Sequence, residues 1–210
     1  MTERSFTFVL LLVTIMTKAE KTRQFIIEKA APIFNMKGIA ATAMSDIMDA
    51  TKLSKGSLYV HFDDKEALSH AVVDYNINCL ISKISVETSK YKNAKDKLMA
   101  CFAHLNDPLN PPVAGGCPML NFGLEADDTN PEVLKKVSKA VKSLQQNIVS
   151  IVEQGIASGE FKKSFDSKTF ATKAFAMVEG GIMISRVTGK ADQMRVILQL
   201  IKNEIEEMSI

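Results

Sequence analysis

The chain carries almost no excess of charge of either sign. Its 26 Lys and Arg stand against 24 Asp and Glu, a formal net charge of +2 over 210 residues. A global basic field able to coat nucleic acid is thereby excluded, so any contact with nucleic acid would have to come from a local arrangement. Residues 16–70 repeat the balance, with eight basic and seven acidic side chains. Cysteine is also sparse. Cys79, Cys101 and Cys117 are odd in number, lack Cys-x-x-Cys spacing and do not cluster with histidine. Neither a disulfide scaffold nor a structural zinc site fits that pattern; no metal and no cofactor is expected, and a reducing cytoplasm is the natural compartment. The apolar run at residues 6–16 (FTFVLLLVTIM) is shorter than the roughly 20 residues a membrane span needs. No small-x-small cleavage site follows it. Residues 1–17 therefore read as an apolar extension, either dispensable ahead of a start at Met16 or a strap on the body of the protein.

Strand signals are missing as well. No β-branched run is bounded by hairpin residues, and there is no internal repeat or low-complexity tract. With 46% hydrophobic and 24% charged residues the composition is that of a globular chain. Its apolar positions recur at helical spacing, which predicts an all-α fold. The first helix is expected over 18–35, with Phe25, Ile26, Ala30, Ile33 and Phe34 on one stripe and Gly38 in the stop region. A second starts at Thr42 as N-cap and ends near Ala50, with Met44, Ile47 and Met48 as its apolar face. A third opens at Ser54, and Asp63 and Asp64 begin a fourth. Beyond lie a helix over 93–105, a Pro- and Gly-rich break over 107–116 (DPLNPPVAGG) and a short helix over 117–126. A long helix is capped by Asn130 with Pro131 at its first position and runs to Gly159, and two more span 167–188 and 191–208.

The stretch TKLSKGSLYVHFDDKEAL, residues 51–68, carries the chemistry. Gly inside a helix costs about 1 kcal/mol against Ala, so Gly56 is not there for packing. Two short helices joined by a tight turn match the helix-turn-helix, whose second helix enters the major groove. Leu58 and Phe62 would anchor that helix against Ile47 and Phe34, with Leu53 plugging the turn. The opposite face presents Ser54, Lys55, Gly56, Ser57, Tyr59, Val60 and His61. Gly56 lets backbone approach a phosphate or base edge, Lys55 can reach either, and Tyr59 and His61 can donate to phosphate. Thr42 and Lys65, at the starts of the flanking helices, complete the expected DNA contacts.

SKGSLYVHFDDKEAL resembles the recognition-helix signature of the tetracycline-repressor (TetR/AcrR) family, and the likeness extends back through ATAMSDIMDAT to TRQFIIEKAAPIFNMKGI. Two positions depart from it. Lys52 stands where the turn usually has Gly, at a cost of about 1 kcal/mol if φ is positive there, and Ala43 stands where a second Thr often contacts phosphate. The resemblance implies a homodimeric DNA-binding regulator: a helix-turn-helix domain over 18–66 joined to a helical ligand-binding and dimerisation domain over 67–210. GCPMLNFGLEADDTNP is similar to a stretch found in a subset of the family, Gly-Cys-x-x-x-Asn followed by an acidic residue.

The last two expected helices carry more apolar surface than one-sided packing needs. Phe170, Ala174, Met177, Val178 and Gly181 on one, with Ile197, Ile201 and Ile205 on the other, are expected at a four-helix dimer interface. Met99, Phe102, Cys117, Met119, Leu120, Phe122 and Leu144 surround the Pro/Gly break and are candidates to line an apolar cavity. His70 and His104 read as ordinary histidines. The leading reading is a cytoplasmic repressor, not an enzyme, that binds a palindromic DNA operator as a homodimer and is released by a small effector, with no membrane partner. Cys117 supplies alternatives. At the start of a helix its thiol pKa would fall, making it an electrophile sensor or, less in keeping with the motifs, a thiol enzyme. An interaction module with a retired DNA head is the remaining one.

Overall fold

Helical periodicity becomes helix nearly everywhere it is expected. The computed structural model describes residues 17–210, so the extension foreseen over residues 1–17 lies outside the described residues except for Thr17. That threonine caps α1 (Lys18–Lys37). Its hydroxyl accepts the Glu20 N–H at 3.2 Å while the Glu20 carboxylate accepts the Thr17 N–H at 2.7 Å, a reciprocal capping box.

Two short helices follow, α2 (Met44–Thr51) and α3 (Lys55–Tyr59), then the long α4 (Lys65–Ser89). The helix α5 (Ala94–Ala103) ends in a single tighter turn, His104–Asn106, before the Pro/Gly break. The remaining elements are α6 (Pro118–Ala126), α7 (Pro131–Ser158), α8 (Ser167–Thr188) and α9 (Asp192–Met208). Asn130 and Pro131 start α7 as expected, the Asn130 side chain accepting the Val133 N–H at 3.1 Å. Among the described residues the only β pairing is one isolated bridge, Phe161 with Ser209.

Local chemistry shifts two boundaries. Thr42 is not the cap of α2. It is buried and donates its hydroxyl to the Gly38 carbonyl at 2.6 Å, so Ala43 takes the cap position and the Asp46 carboxylate accepts the Ala43 N–H at 3.0 Å. The third helix is shorter than its apolar pattern: residues 60 and 61 form a turn, and the Phe62 N–H reaches back to the Leu58 carbonyl at 3.1 Å.

A small core holds α1, α2 and α3 together. Phe34, Ile47 and Leu58 are 0% exposed and Phe62 is 4% exposed, each worth roughly 1.5–3 kcal/mol of apolar burial. Arg23 stacks its guanidinium 4.6 Å above the Phe62 ring. This head is fused to the rest through α4, which packs on α1 at one end and on α5 and α7 at the other. The buried Asn76 of α4 donates to the Ala31 carbonyl of α1 at 3.0 Å. Behind α4, helices α5 to α9 form a bundle whose core runs continuously into the head.

Candidate nucleic-acid interface and effector cavity

The turn between α2 and α3 sets the recognition helix. Lys52 has φ 59° and ψ 22°, so the condition for its conformational cost is met, and its N–H closes α2 on the Met48 carbonyl at 2.8 Å. Thr51 is buried, donates to the Ile47 carbonyl at 2.7 Å and accepts the Leu53 N–H at 3.3 Å, bracing the same turn. Ser54 caps α3 by accepting the Ser57 N–H at 3.2 Å. With Leu58 pointing inward, the outer surface carries Lys55 and Gly56, Tyr59 at 39% exposure and Val60 at 79%, with Ser57 and His61 half-buried beside them. An added Cβ at Gly56 would meet nothing within 4 Å, so no packing within the chain requires glycine there. The Lys55 ammonium lies 5.8 Å over the Tyr59 ring, which holds a cation next to a hydroxyl on one exposed face. Exposed Val60 has no packing role and suits an apolar contact such as a thymine methyl.

Lys65 does something else. Its ammonium donates to the carbonyls of Ile39, Ala40 and Thr42 at 2.8, 3.2 and 3.0 Å, pinning the α1–α2 loop to the start of α4. Together with inward-facing Thr42, it belongs to the frame that positions the recognition helix, because its donors are spent inside the protein.

That same loop is held from the other side by α6. Both Glu125 carboxylate oxygens accept from it, Oε2 from the Ile39 N–H and Oε1 from the Ala40 N–H, each at 2.7 Å. One turn earlier, the Asn121 amide donates to the Asn35 carbonyl at 2.9 Å, to its Oδ1 at 3.1 Å and to the Gly115 carbonyl at 2.9 Å. Asn35 in turn donates to the Ala114 and Gly116 carbonyls at 2.8 and 3.2 Å. Gly115 and Gly116 have φ +106° and +98° and are buried, Gly115 against the Asn35 backbone and Gly116 against Arg186. The residues of the Gly-Cys-x-x-x-Asn stretch and its acidic follower thus fasten the last turn of α1 to α6. The sequence displayed that pattern; its role needed the partner, Asn35, which lies 86 positions away.

Beside this fastening is a cavity of about 810 Å³, its mouth included, between α4, α5, α6, α7, α8 and the Pro-rich loop. Phe102, Cys117, Met119 and Leu144 lie in its wall as anticipated, joined by Leu80, Ile84, Ile148, Phe175, Val178 and Ile182. Met99, Leu120 and Phe122 do not: they pack against the core, Phe122 with 0% exposure. Among the polar wall residues that escaped sequence reasoning are His104 and Glu179. Both sit on helical patterns that read as plain amphipathic surface, and only the tertiary packing turns them inward. Burial, with Lys83 second, pushes the His104 imidazole down to about 4, the Cys101 backbone pulling weakly the other way.

Comparison with known proteins decides the family. The description "Bacterial regulatory proteins, tetR family" matches residues 26–72, and "Tetracyclin repressor-like, C-terminal domain" matches residues 94–201. A solved TetR-family regulator from Cytophaga hutchinsonii is 35% identical over 93% of this chain and 98% of its own, with a TM-score of 0.84. This chain belongs to the TetR family. A TetR transcriptional regulator from Chloroflexus aurantiacus is similar at 33% identity, covering 92% of this chain and 98% of that one with a TM-score of 0.87. The HTH-type transcriptional repressor DhaR of a Mycobacterium species is 25% identical over 85% of this chain and 89% of its own. The protein is accordingly a transcriptional regulator with a helix-turn-helix head and a helical C-terminal domain.

For this TetR-family chain, two sequence expectations are corrected by packing. Phe170, Ala174, Val178, Gly181, Ile201 and Ile205 are buried inside one protomer, and Met177 and Ile197 are half-buried; the α8–α9 contact within the chain uses that face. The free apolar surface of the same helices is instead Met183 and Val187 on α8 and Val196 and Leu200 on α9, each pair four residues apart and exposed. Cys117 is the second correction. It sits at the N-cap of α6 as expected, but the thiol is only 5% exposed and donates to Glu179 Oε1 at 3.2 Å. Burial first, and the adjacent Glu179 charge second, push its pKa up, opposite to what a reactive thiolate requires. The neighbouring glycines give it no opening, being buried themselves. Among the described residues no His, Cys, Asp and Glu cluster able to hold a metal is found, and no helix is long and apolar enough to cross a membrane.

Proposed function

We propose that the protein is an effector-released repressor: a cytoplasmic homodimer whose two recognition helices hold a palindromic operator until a small molecule fills the cavity. The observation that carries this reading is the direct fastening of the cavity rim to the head. Cys117, Pro118 and Met119 line the cavity, and the same helix presents Asn121 and Glu125 to α1 and to the α1–α2 loop. A molecule that moves the start of α6 moves the platform on which α2 and α3 stand. Release then requires only that the effector prefer the arrangement that fits DNA less well. Residues 18–66 serve as the DNA-binding part and 67–210 as the effector and dimer part, with α4 (Lys65–Ser89) shared across that boundary. The DNA contacts are Ser54, Lys55, Gly56, Ser57, Tyr59, Val60 and His61, while Thr42 and Lys65 act through position. No observation favours a thiol enzyme or a thiol sensor at Cys117.

Operator binding measured against salt concentration tests the assignment. Lys55→Ala is expected either to lower the slope of log K against log salt by about 0.9, for a phosphate contact, or to cost about 1–3 kcal/mol of discrimination at one base pair. Lys65→Met should weaken binding at every salt concentration with the slope unchanged, and cost about 1–3 kcal/mol of stability from its unpaired carbonyls. Normal operator affinity in the Lys55 variant would remove α3 from the groove.

Dimerisation is assigned to the exposed faces of α8 and α9. Gly180, where an added Cβ meets nothing, leaves room for a close helix crossing beside Met183. Val196→Lys combined with Leu200→Lys should give a monomer by sedimentation with an unchanged melting profile, since both side chains are more than half exposed in the protomer, at 60% and 52%. Burying two unpaired ammonium groups in the dimer is too costly to sustain it. An unchanged mass would place the interface elsewhere.

A further inference from the structure

Among the described residues, Glu179 is a largely buried carboxyl with almost no hydrogen-bond partner. It projects from α8 among the apolar residues of the cavity wall, next to Val178 and Ile182. Its Oε1 accepts one thiol hydrogen bond, from Cys117, and its Oε2 is buried without a hydrogen-bond partner among the described residues. A carboxylate offers about four acceptor sites, and a thiol is a weak donor. One weak donor leaves nearly all of that capacity unused in an apolar setting, where an unpaired polar atom is expensive. A structural carboxyl at such a place is ordinarily matched by Arg, Lys or several N–H groups. The cavity wall contains neither Arg nor Lys. It contains a second carboxyl, Asp107, and His104, whose Nδ1 is buried without a partner of hydrogen-bonding geometry.

These observations distinguish three classes of occupant. A ligand carboxylate would bring a further negative charge to a wall that has two acidic side chains, the neighbouring cations, Lys83 behind His104 and Arg186 behind Gly116, standing outside that wall. A neutral carbonyl ligand would use Glu179 only as a protonated donor and leave the ion's acceptor sites unused. A protonated amine satisfies them: it supplies N–H donors and the opposite charge together, and a charge-assisted bond of this kind is about twice as strong as a neutral one. His104, kept neutral by burial, adds no competing cation. Burial likewise raises the Glu179 carboxyl above its ordinary range despite the Cys117 hydrogen bond.

We propose that the cavity binds an apolar molecule bearing a protonated amine, with Glu179 as its counter-ion and Cys117 as the donor that fixes the carboxylate. This rests on the reading of the cavity as the effector site and adds the chemical class of the effector. The hydrocarbon body is held by Phe102, Leu144, Ile148 and Phe175. The cysteine thereby has a role that needs no reactivity.

The test uses three probes with one skeleton, phenylbutylamine, phenylbutanol and phenylbutyrate, titrated calorimetrically into the full-length protein. The amine is expected to bind about tenfold more tightly than the alcohol, a difference of about 1.4 kcal/mol, and phenylbutyrate most weakly. In Glu179→Gln the amine should fall to within about twofold of the alcohol, whose affinity is retained, while Leu144→Trp, which fills the cavity, should abolish binding of both. Equal binding of amine and alcohol to wild type, or a preference for phenylbutyrate, overturns the amine class and leaves the cavity reading standing. An amine preference that survives in Glu179→Gln overturns the assignment to Glu179. Binding that persists in Leu144→Trp, or no binding of any probe, overturns the cavity reading as well. Should Glu179→Gln fail to fold, the ranking of the three probes on wild type still decides the class.

Discussion

Gly115→Ala is expected to destabilise the protein by about 3–5 kcal/mol in urea unfolding, with an unchanged m-value. Two costs combine there. The residue sits at φ +106°, where a side chain is strained by about 1–3 kcal/mol. The new Cβ would also lie 2.8 Å from the Asn35 carbonyl oxygen and 2.9 Å from its carbonyl carbon. Those are backbone atoms in the last turn of α1, already engaged by Asn121, so relief requires displacing the end of that helix. Overpacking of this kind costs about 1–3 kcal/mol more. Because α1 carries the head, the folded fraction of the variant should also bind operator more weakly. A variant of wild-type stability would mean that the cavity loop and α1 are not in contact.

Glu125→Ala comes next in expected size, at about 2–3 kcal/mol of stability. The Ile39 N–H is partly buried and would lose its partner outright, costing about 1–3 kcal/mol. The Ala40 N–H faces solvent and would be rehydrated, so it contributes less. The functional effect should exceed the thermodynamic one. With the α1–α2 loop released from α6 and only the Asn121–Asn35 fastening left between α6 and α1, coupling of effector to operator should weaken, read as less complete effector-induced release in a gel-shift titration. Release that remains as complete as in wild type would show that coupling does not run through Glu125 but through α4 or the Asn121–Asn35 contact.

The sequence made the head legible because its constraints are local. Ser54 caps within three residues, Leu58 and Phe62 mark one helical face, and Lys52 stands at a turn that demands positive φ, so a window of twenty residues contains the evidence. The cavity's hydrocarbon wall was half legible for the same reason: Phe102, Met119 and Leu144 flank a Pro/Gly break that cannot be helix. What could not be read was direction. A helix with two apolar stripes does not reveal which stripe meets its own bundle, and Phe170, Ile201 and Ile205 turned out to face inward while Val187 and Val196 face out. The roles of Lys65 and Cys117 were misread because their partners, the Ile39 carbonyl and Glu179, are 26 and 62 positions away. A lysine beside a DNA-reading helix looks like a phosphate contact until its ammonium is found in use.

The length of α4 has a mechanical consequence. A helix of 25 residues is about 37 Å long at 1.5 Å per residue, comparable to one turn of DNA. Its first turn is tied by Lys65 to the α1–α2 loop and follows directly on the recognition segment, while its later turns border the cavity through Leu80 and Ile84. Pivoted in the body, such a rod converts angle into distance: a tilt of about 10° carries its far end roughly 6 Å at that length. In a symmetric dimer the two heads would move by that amount in opposite senses, so their separation would change by up to about 12 Å against a half-site spacing of about 34–36 Å. An adjustment where the ligand sits need not travel far as strain; leverage enlarges it severalfold where the operator sits.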